Sequence, residues 1–237
     1  MQTDQIRDIV DKVLARINDG ELPATNEMPS APRGVFKTVD QAMDAAEQAQ
    51  QTLMAISLEK RREIIANIRR RAAEDVHTLA KMAHDETGLG RVEDKIKKNL
   101  LVIHKTPGVE ILQPTAFTGD DGLTLIEGAP YGVMGSITPC TNPTETIINN
   151  GIGMVAAGNT VVFNTHPAAK STSAYCIDLI NKASMEVGGP ENIMACVQTP
   201  TIASANEVMT HKTTAMVVVT GGGEVVRAAM NSGKKCV

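Results

Sequence analysis

The chain of 237 residues has room for one large domain, or for one domain with an appendage, and its 42% hydrophobic and 21% charged content is that of a globular protein with a sizeable core. Aromatic residues make up only 2%, with no Trp, so Ile, Val, Leu, Met and Ala must build that core. A net charge of −4 argues against nucleic acid as a partner, because phosphate contacts need a basic surface, and no apolar run is long enough to span a bilayer.

Residues 1–18 read as an amphipathic helix, with Ile6, Ile9, Val10, Val13, Leu14 and Ile17 on one face and Asp8, Asp11, Lys12 and Arg16 on the other. The acidic residues exclude a secretory signal. Residues 19–34 contain Gly20, Pro23, Pro29, Pro32 and Gly34 and read as a flexible linker. A sticky helix on a loose tether suits docking as well as it suits a core. Residues 35–130 are expected to hold helices and a small antiparallel element. One helix runs over Val39 to Ile56, and a second is capped by Ser57 and carries Ile64, Ile65, Ile68, Leu79 and Met82. Its basic clusters, Lys60 to Arg62 and Arg69 to Arg71, read as a solvated face. Gly88 ends it, Arg91 to His104 forms another helix, and Asp120-Asp121-Gly122 marks a turn before the strand Leu123 to Glu127.

From Tyr131 the pattern alternates. Strands are expected at Gly132–Thr138, Thr160–Asn164, Ile193–Val197, Ala215–Val219 and from Lys234. The helices between them reach Ala157 and span Pro167–Val187, Thr201–Thr210 and Glu224–Met230. This alternation is the signature of an α/β fold with a parallel sheet covered by helices on both faces. The chain stops inside its last strand, where a parallel strand would normally continue into another crossover, so it is expected to be the first part of a longer protein.

Ligands of such sheets bind over the loops at the carboxyl ends of strands. Three of these loops stand out. Thr138-Pro-Cys-Thr-Asn-Pro is a polar turn leading into a helix whose first residue is Pro143. Asn164-Thr-His-Pro follows the next strand. Thr220-Gly-Gly-Gly can bring backbone N–H groups to an anion, although it matches neither G-x-G-x-x-G nor a P-loop. Cys140, Cys176, Cys196 and Cys236 show no C-x-x-C pairing, which points to reduced thiols in a cytoplasmic setting. No base can be assigned to Cys140. His77, His84, His104 and His211 lack metal-ligand spacing, so no metal is expected. Met185, Met194, Met209, Met216 and Met230 read as core fillers.

Several motifs together resemble the aldehyde dehydrogenase superfamily, with its Rossmann-like domain. They are Glu86-Thr-Gly-Leu-Gly-Arg-Val-Glu-Asp-Lys, Thr106-Pro-Gly-Val-Glu, Thr138-Pro-Cys-Thr-Asn-Pro-Thr-Glu-Thr-Ile-Ile-Asn-Asn, Ala157-Gly-Asn-Thr, His166-Pro-Ala-Ala-Lys and Val219-Thr-Gly-Gly. They are most similar to the CoA-acylating propionaldehyde and acetaldehyde dehydrogenases of bacterial microcompartments. Residues 1–18 also resemble the encapsulation peptides of those enzymes, which implies docking to a shell or neighbouring enzyme in the microcompartment lumen. The resemblance implies that a cysteine thiolate attacks a short-chain aldehyde, NAD takes the hydride, and coenzyme A removes the acyl group. It further implies a homo-oligomeric parent protein.

Residues 131–237 would then hold NAD, with coenzyme A overlapping it. Thr138, Pro139 and Cys140 would lie by the nicotinamide, Asn164, His166 and Pro167 by the adenosine, and Thr220, Gly221, Gly222 and Gly223 by the pyrophosphate. Hydrolytic relatives carry Pro-Trp-Asn-Phe-Pro, whose Asn stabilises the oxyanion. Matching the prolines puts Thr141 at that place and Asn142 next to it, and Asn142 is favoured for its amide donor. No cysteine here matches the family's nucleophile, so this chain alone is expected not to oxidise aldehydes. Two other readings are a non-catalytic nucleotide-binding or assembly module and part of a hydrolytic aldehyde dehydrogenase.

Overall fold

The computed structural model describes residues 32–237. The docking helix expected at 1–18 lies outside the described residues, as does the linker up to residue 31. Thereafter the order is β1 (Val35–Phe36), α1 (Val39–Ala55), α2 (Leu58–Glu74), α3 (Val76–Thr87), α4 (Val92–Lys105), β2 (Thr115–Gly119) and β3 (Gly122–Ile126). It continues with β4 (Val133–Ile137), α5 (Pro143–Ala156), β5 (Thr160–Asn164), α6 (Lys170–Glu186), β6 (Met194–Val197), α7 (Ile202–Thr210), β7 (Thr214–Val219), α8 (Gly223–Met230) and β8 (Lys235–Cys236).

Six strands form one parallel sheet in the order β1-β6-β5-β4-β7-β8. Its inner strands are buried on both sides because their side chains alternate between two apolar layers. Met134, Val161, Phe163, Met194, Cys196 and Met216 join the layer formed with α5 and α6, which are backed by α2, α3 and α4. Val133, Ile137, Val162, Ala195, Val197 and Val217 face α1, α7 and α8. With Phe163 as the single aromatic among these buried strand residues, the core is aliphatic, as composition requires. The chain leaves β4 towards β5 and β6, then returns past β4 to β7 and β8. The direction of winding therefore reverses between β4 and β7, and there the carboxyl-end loops diverge and open a crevice.

Local chemistry sets the boundaries. Ser57 Oγ accepts the Lys60 N–H at 3.1 Å and caps α2. Gly88, at φ +67°, closes α3 in the left-handed conformation. Thr201 and Ser204 form a reciprocal capping box on α7. The β2–β3 hairpin turns at Asp120-Asp121, with Gly119 opposite Gly122.

The sequence reading needs correction in four places. The single helix expected from Ser57 to Gly88 is two helices, because Asp75 leaves helical geometry and accepts the Tyr175 hydroxyl at 2.7 Å. That contact to α6 is invisible to periodicity. Val35–Phe36 is a strand of the main sheet, too short to show alternation and held in register by β6. The turn before it uses Gly34 at φ +77°, where a Cβ would sit 2.4 Å from the Met194 carbonyl oxygen. The basic face of α2 is only partly solvated: buried Arg61 donates to the Ala156 carbonyl at 3.0 Å, and Arg69 donates to the carbonyls of Ile103 and Thr106. Among the methionines, Met185 and Met230 are exposed, whereas Met194, Met209 and Met216 fill the core.

Candidate functional site

The loops after β4, β5, β6 and β7, four neighbouring strands, enclose a cavity of about 660 Å³. Its size suits a nucleotide-sized ligand. Thr138, Pro139 and Cys140 line it from β4, and Asn164, His166 and Pro167 from β5. Thr220, Gly221, Gly222 and Gly223 line it from β7. All ten residues expected to contact a cofactor thus share one cavity. The sequence reading missed Ile137, Thr165, Thr201, Ile202, Ala205, Glu224 and Val225, which complete its wall. Thr201 carried a usable signal as the helix cap that follows β6, at the same end of the sheet. Ile202 is 83% exposed, so nothing in the apolar pattern of a core helix marks it.

The loop residues are held by different means. Asn164 is buried and committed: its Oδ1 accepts from Ser204 Oγ at 2.6 Å, tying the end of β5 to the first turn of α7. His166 is exposed, and its Nδ1 accepts the Ala168 N–H at 3.1 Å to cap the single 3-10 turn Pro167–Ala169. Gly222 and Gly223 have no heavy atom within 4 Å of a hypothetical Cβ, so the backbone at the start of α8 stands clear for close approach. Gly221 is restricted, because its Cβ would meet Val225 Cγ1 at 2.6 Å.

Thr141 and Asn142 lie apart from this cavity. The loop runs from the end of β4 to α5, which packs on the sheet face opposite α7 and α8, and so carries its last residues across to the other side. Asn142 lines a smaller groove of about 390 Å³ with Lys98, Leu101 and Val102 of α4 and Glu145, Thr146, Asn149 and Asn150 of α5. Thr220 lines both spaces and marks where they meet. Asn142 Oδ1 accepts from Lys98 Nζ at 2.8 Å, and the Thr141 carbonyl accepts from Lys95 Nζ at 3.1 Å.

The cysteines divide by environment. Cys176 and Cys196 are buried, and burial pushes both thiols up, Cys196 to about 12, so neither is a thiolate near neutrality. Cys140 and Cys236 are half-buried. Among the described residues, no cluster of three His, Cys, Asp or Glu side chains could hold a metal ion, and no helix is long and apolar enough to cross a membrane.

The acetaldehyde dehydrogenase (acetylating) EutE of Salmonella typhimurium is 45% identical over 231 residues, covering 97% of this chain and 48% of that protein. A propionaldehyde dehydrogenase from the Clostridium phytofermentans fucose utilisation bacterial microcompartment superposes with a TM-score of 0.85 at 50% identity, over 86% of this chain and 47% of that one. The Rhodopseudomonas palustris propionaldehyde dehydrogenase with bound propionyl-CoA gives 0.85 at 44% identity, over 91% and 48%. An engineered glycolyl-CoA reductase with bound NADP+ gives 0.84 at 44% identity, over 86% and 47%. The chain spans about half the length of the curated relatives it matches. The sequence profile of the aldehyde dehydrogenase family matches residues 20–237, a stretch that contains the whole described sheet and every loop of the cavity. Profile, superposition and the crevice at the reversal of winding agree, and this chain belongs to the aldehyde dehydrogenase family.

Proposed function

We propose that this chain supplies the cofactor-binding half of a CoA-acylating, NAD-dependent aldehyde dehydrogenase acting on a short aldehyde such as acetaldehyde or propionaldehyde. The observation that carries this reading is the single cavity uniting the loops after β4, β5 and β7. The names of the relatives supply the chemistry: acetylating, propionaldehyde, and complexes with propionyl-CoA and NADP+.

The residues present fit a dinucleotide. The backbone at Gly222 and Gly223 is open, and the positive end of α8 lies over the cavity to receive a diphosphate. Ile202, Val225 and Pro167 offer apolar contact for a flat base, while Thr138, Pro139 and Cys140 line the cavity on the loop that continues to Asn142 in the second groove. Bound there, NAD would supply hydride acceptance and coenzyme A acyl acceptance. The chain's own part is to orient the cofactor, exclude water along the apolar wall, and present the Asn142 amide from the other side of the loop. An aldehyde carbonyl in the groove of α4 and α5 would meet that amide as its oxygen gains charge, and a preorganised donor then stabilises the developing oxyanion. Cys176 and Cys196 are buried, and none of the four cysteines stands at the place the family resemblance gives the nucleophile, so in this reading the nucleophile lies outside these residues and the chain alone turns over no aldehyde.

Titration of the chain with NAD and with coenzyme A tests the reading. Each should bind saturably, and each should displace the other. Absence of binding by both would remove it and leave an assembly module as the better account. Residues 1–18 are read as the segment docking to a shell or neighbouring enzyme in the microcompartment lumen, supported by the microcompartment source of one close structural neighbour. Deleting them should leave melting unchanged and abolish co-localisation with the shell, and a large fall in Tm would make them part of the core instead.

A further inference from the structure

Lys95 and Lys98 stand one turn apart on α4, and residues at that spacing leave a helix on the same face. Both end on the β4–α5 loop. Lys95 Nζ donates to the main-chain carbonyl of Thr141, and Lys98 Nζ donates to the side-chain carbonyl of Asn142. Two cations thus grip consecutive residues, one through the backbone and one through the amide.

Their environments differ in a telling way. Lys95 is 1% exposed, and Glu145 on the first turn of α5, itself 5% exposed, acts as its counter-charge. Burial pushes Lys95 below the ordinary lysine range, while Glu145 pulls it back. An apolar side chain of similar length would pack α4 against α5 without that desolvation, but it would give the Thr141 carbonyl no donor. The loop is therefore anchored through its backbone beside Asn142.

Lys98 acts on the amide itself. An ammonium has donors and no acceptor, so the atom facing Lys98 must be the amide oxygen. The amide is then turned one way, with Nδ2 as the donating end. The protein acceptor found for Nδ2 is Thr141 Oγ1 at 3.4 Å, a long contact that leaves the N–H groups available. Without Lys98 the terminal torsion has two nearly equivalent settings, and one of them presents the oxygen instead. A cation on the oxygen also draws charge from the nitrogen and strengthens its N–H groups as donors.

We propose that Lys98 is a positioning residue for the Asn142 amide, fixing its orientation and polarising it on a loop that Lys95 anchors. The inference rests on the reading of Asn142 as an oxyanion donor. Lys98 touches no reacting atom in this account and acts only through Asn142.

A double-mutant cycle in the full-length protein, together with NMR of the 237-residue chain, tests it. With acetaldehyde, NAD and coenzyme A, Asn142→Ala should lower kcat about a hundredfold, and Lys98→Met should lower it about tenfold with KM for NAD unchanged. Lys98→Met on the Asn142→Ala background should cost nothing further, and Lys98→Arg should recover most of the loss. In the 15N-labelled chain, the NH2 signals that vanish in Asn142→Ala should move in Lys98→Met while the backbone spectrum stays. A large effect of Asn142→Ala with Lys98→Met silent, or equally costly on both backgrounds, would overturn the inference and leave Asn142 as the donor. A silent Asn142→Ala would instead sink the donor reading and this inference with it. NH2 signals unmoved by Lys98→Met overturn the proposed orientation whatever the kinetics show.

Discussion

Gly222 shows how a single position can separate folding from binding. It precedes α8 at φ −72°, an angle open to any residue, and a Cβ there would meet no heavy atom within 4 Å. A side chain at this position is tolerated by the fold and projects into open space at the cavity wall. Gly222→Leu should therefore melt as the parent does yet bind NAD at least tenfold more weakly, because the side chain would block approach to the backbone N–H groups. Unchanged affinity in the same titration would take the loop after β7 out of the site. Gly221 is a poor choice for this test, since a Cβ there would collide with Val225 and confound binding with packing.

Among the elements, α6 depends on a cap supplied from elsewhere in the chain. Glu86, the last-turn glutamate of α3, accepts the Ser171 N–H at 2.9 Å and the Thr172 N–H at 2.7 Å, so one carboxylate satisfies two free donors at the start of α6. Partial burial works to raise its pKa, but the hydrogen bonds from Thr172 and Ser171 together outweigh burial and hold Glu86 below the usual glutamate range. A carboxylate lowered in the folded state contributes stability above its unfolded pKa of about 4.3 and loses that contribution as pH falls through the folded value. Glu86→Gln should thus cost about 1 kcal/mol at pH 7, a typical cap value. Urea curves of parent and variant should converge at strongly acid pH, where Glu86 is protonated and resembles Gln. A difference that persists unchanged into acid would show that shape, and not charge, holds α3 to α6.

For the molecule as a whole, the β2–β3 hairpin is the feature that its own core does not explain. Every residue of both strands is exposed, including Phe117, Leu123, Leu125 and Ile126. A lone two-stranded ribbon with apolar side chains on both faces is marginal in water. We propose that this surface is buried between subunits of the homo-oligomer that the family resemblance implies. Leu123→Ser together with Leu125→Ser, both on one face, should lower the assembled mass of the proposed parent enzyme in sedimentation while leaving the melting of the 237-residue chain nearly unchanged. An unaltered assembly would assign the hairpin some other partner.

Much of this protein could be read along the chain. Val133–Ile137, Thr160–Asn164 and Thr214–Val219 announce themselves as buried strands because apolar runs of that length have no other economical place, and Gly88, Pro143 and Thr201 mark helix ends through backbone chemistry carried by single residues. Once the strands are known to be parallel, the loops at their carboxyl ends must gather at one edge, and the family resemblance singled out the ten residues on those loops that line the cavity. What could not be read depends on partners distant in sequence. Asn142 follows Cys140 by two residues, yet it opens onto a different groove, because α5 packs on the opposite sheet face from α7 and α8. Lys95 and Lys98 look like ordinary helix-surface charges until α4 is laid beside the β4–α5 loop, 46 and 44 residues further on. The same holds for Arg61 on the Ala156 carbonyl and for the break at Asp75. Local propensity and periodicity are properties of neighbouring residues, whereas these contacts exist only because packed layers bring separate segments together, and hydrogen bonding to a remote carbonyl leaves no periodic trace in the segment that donates it.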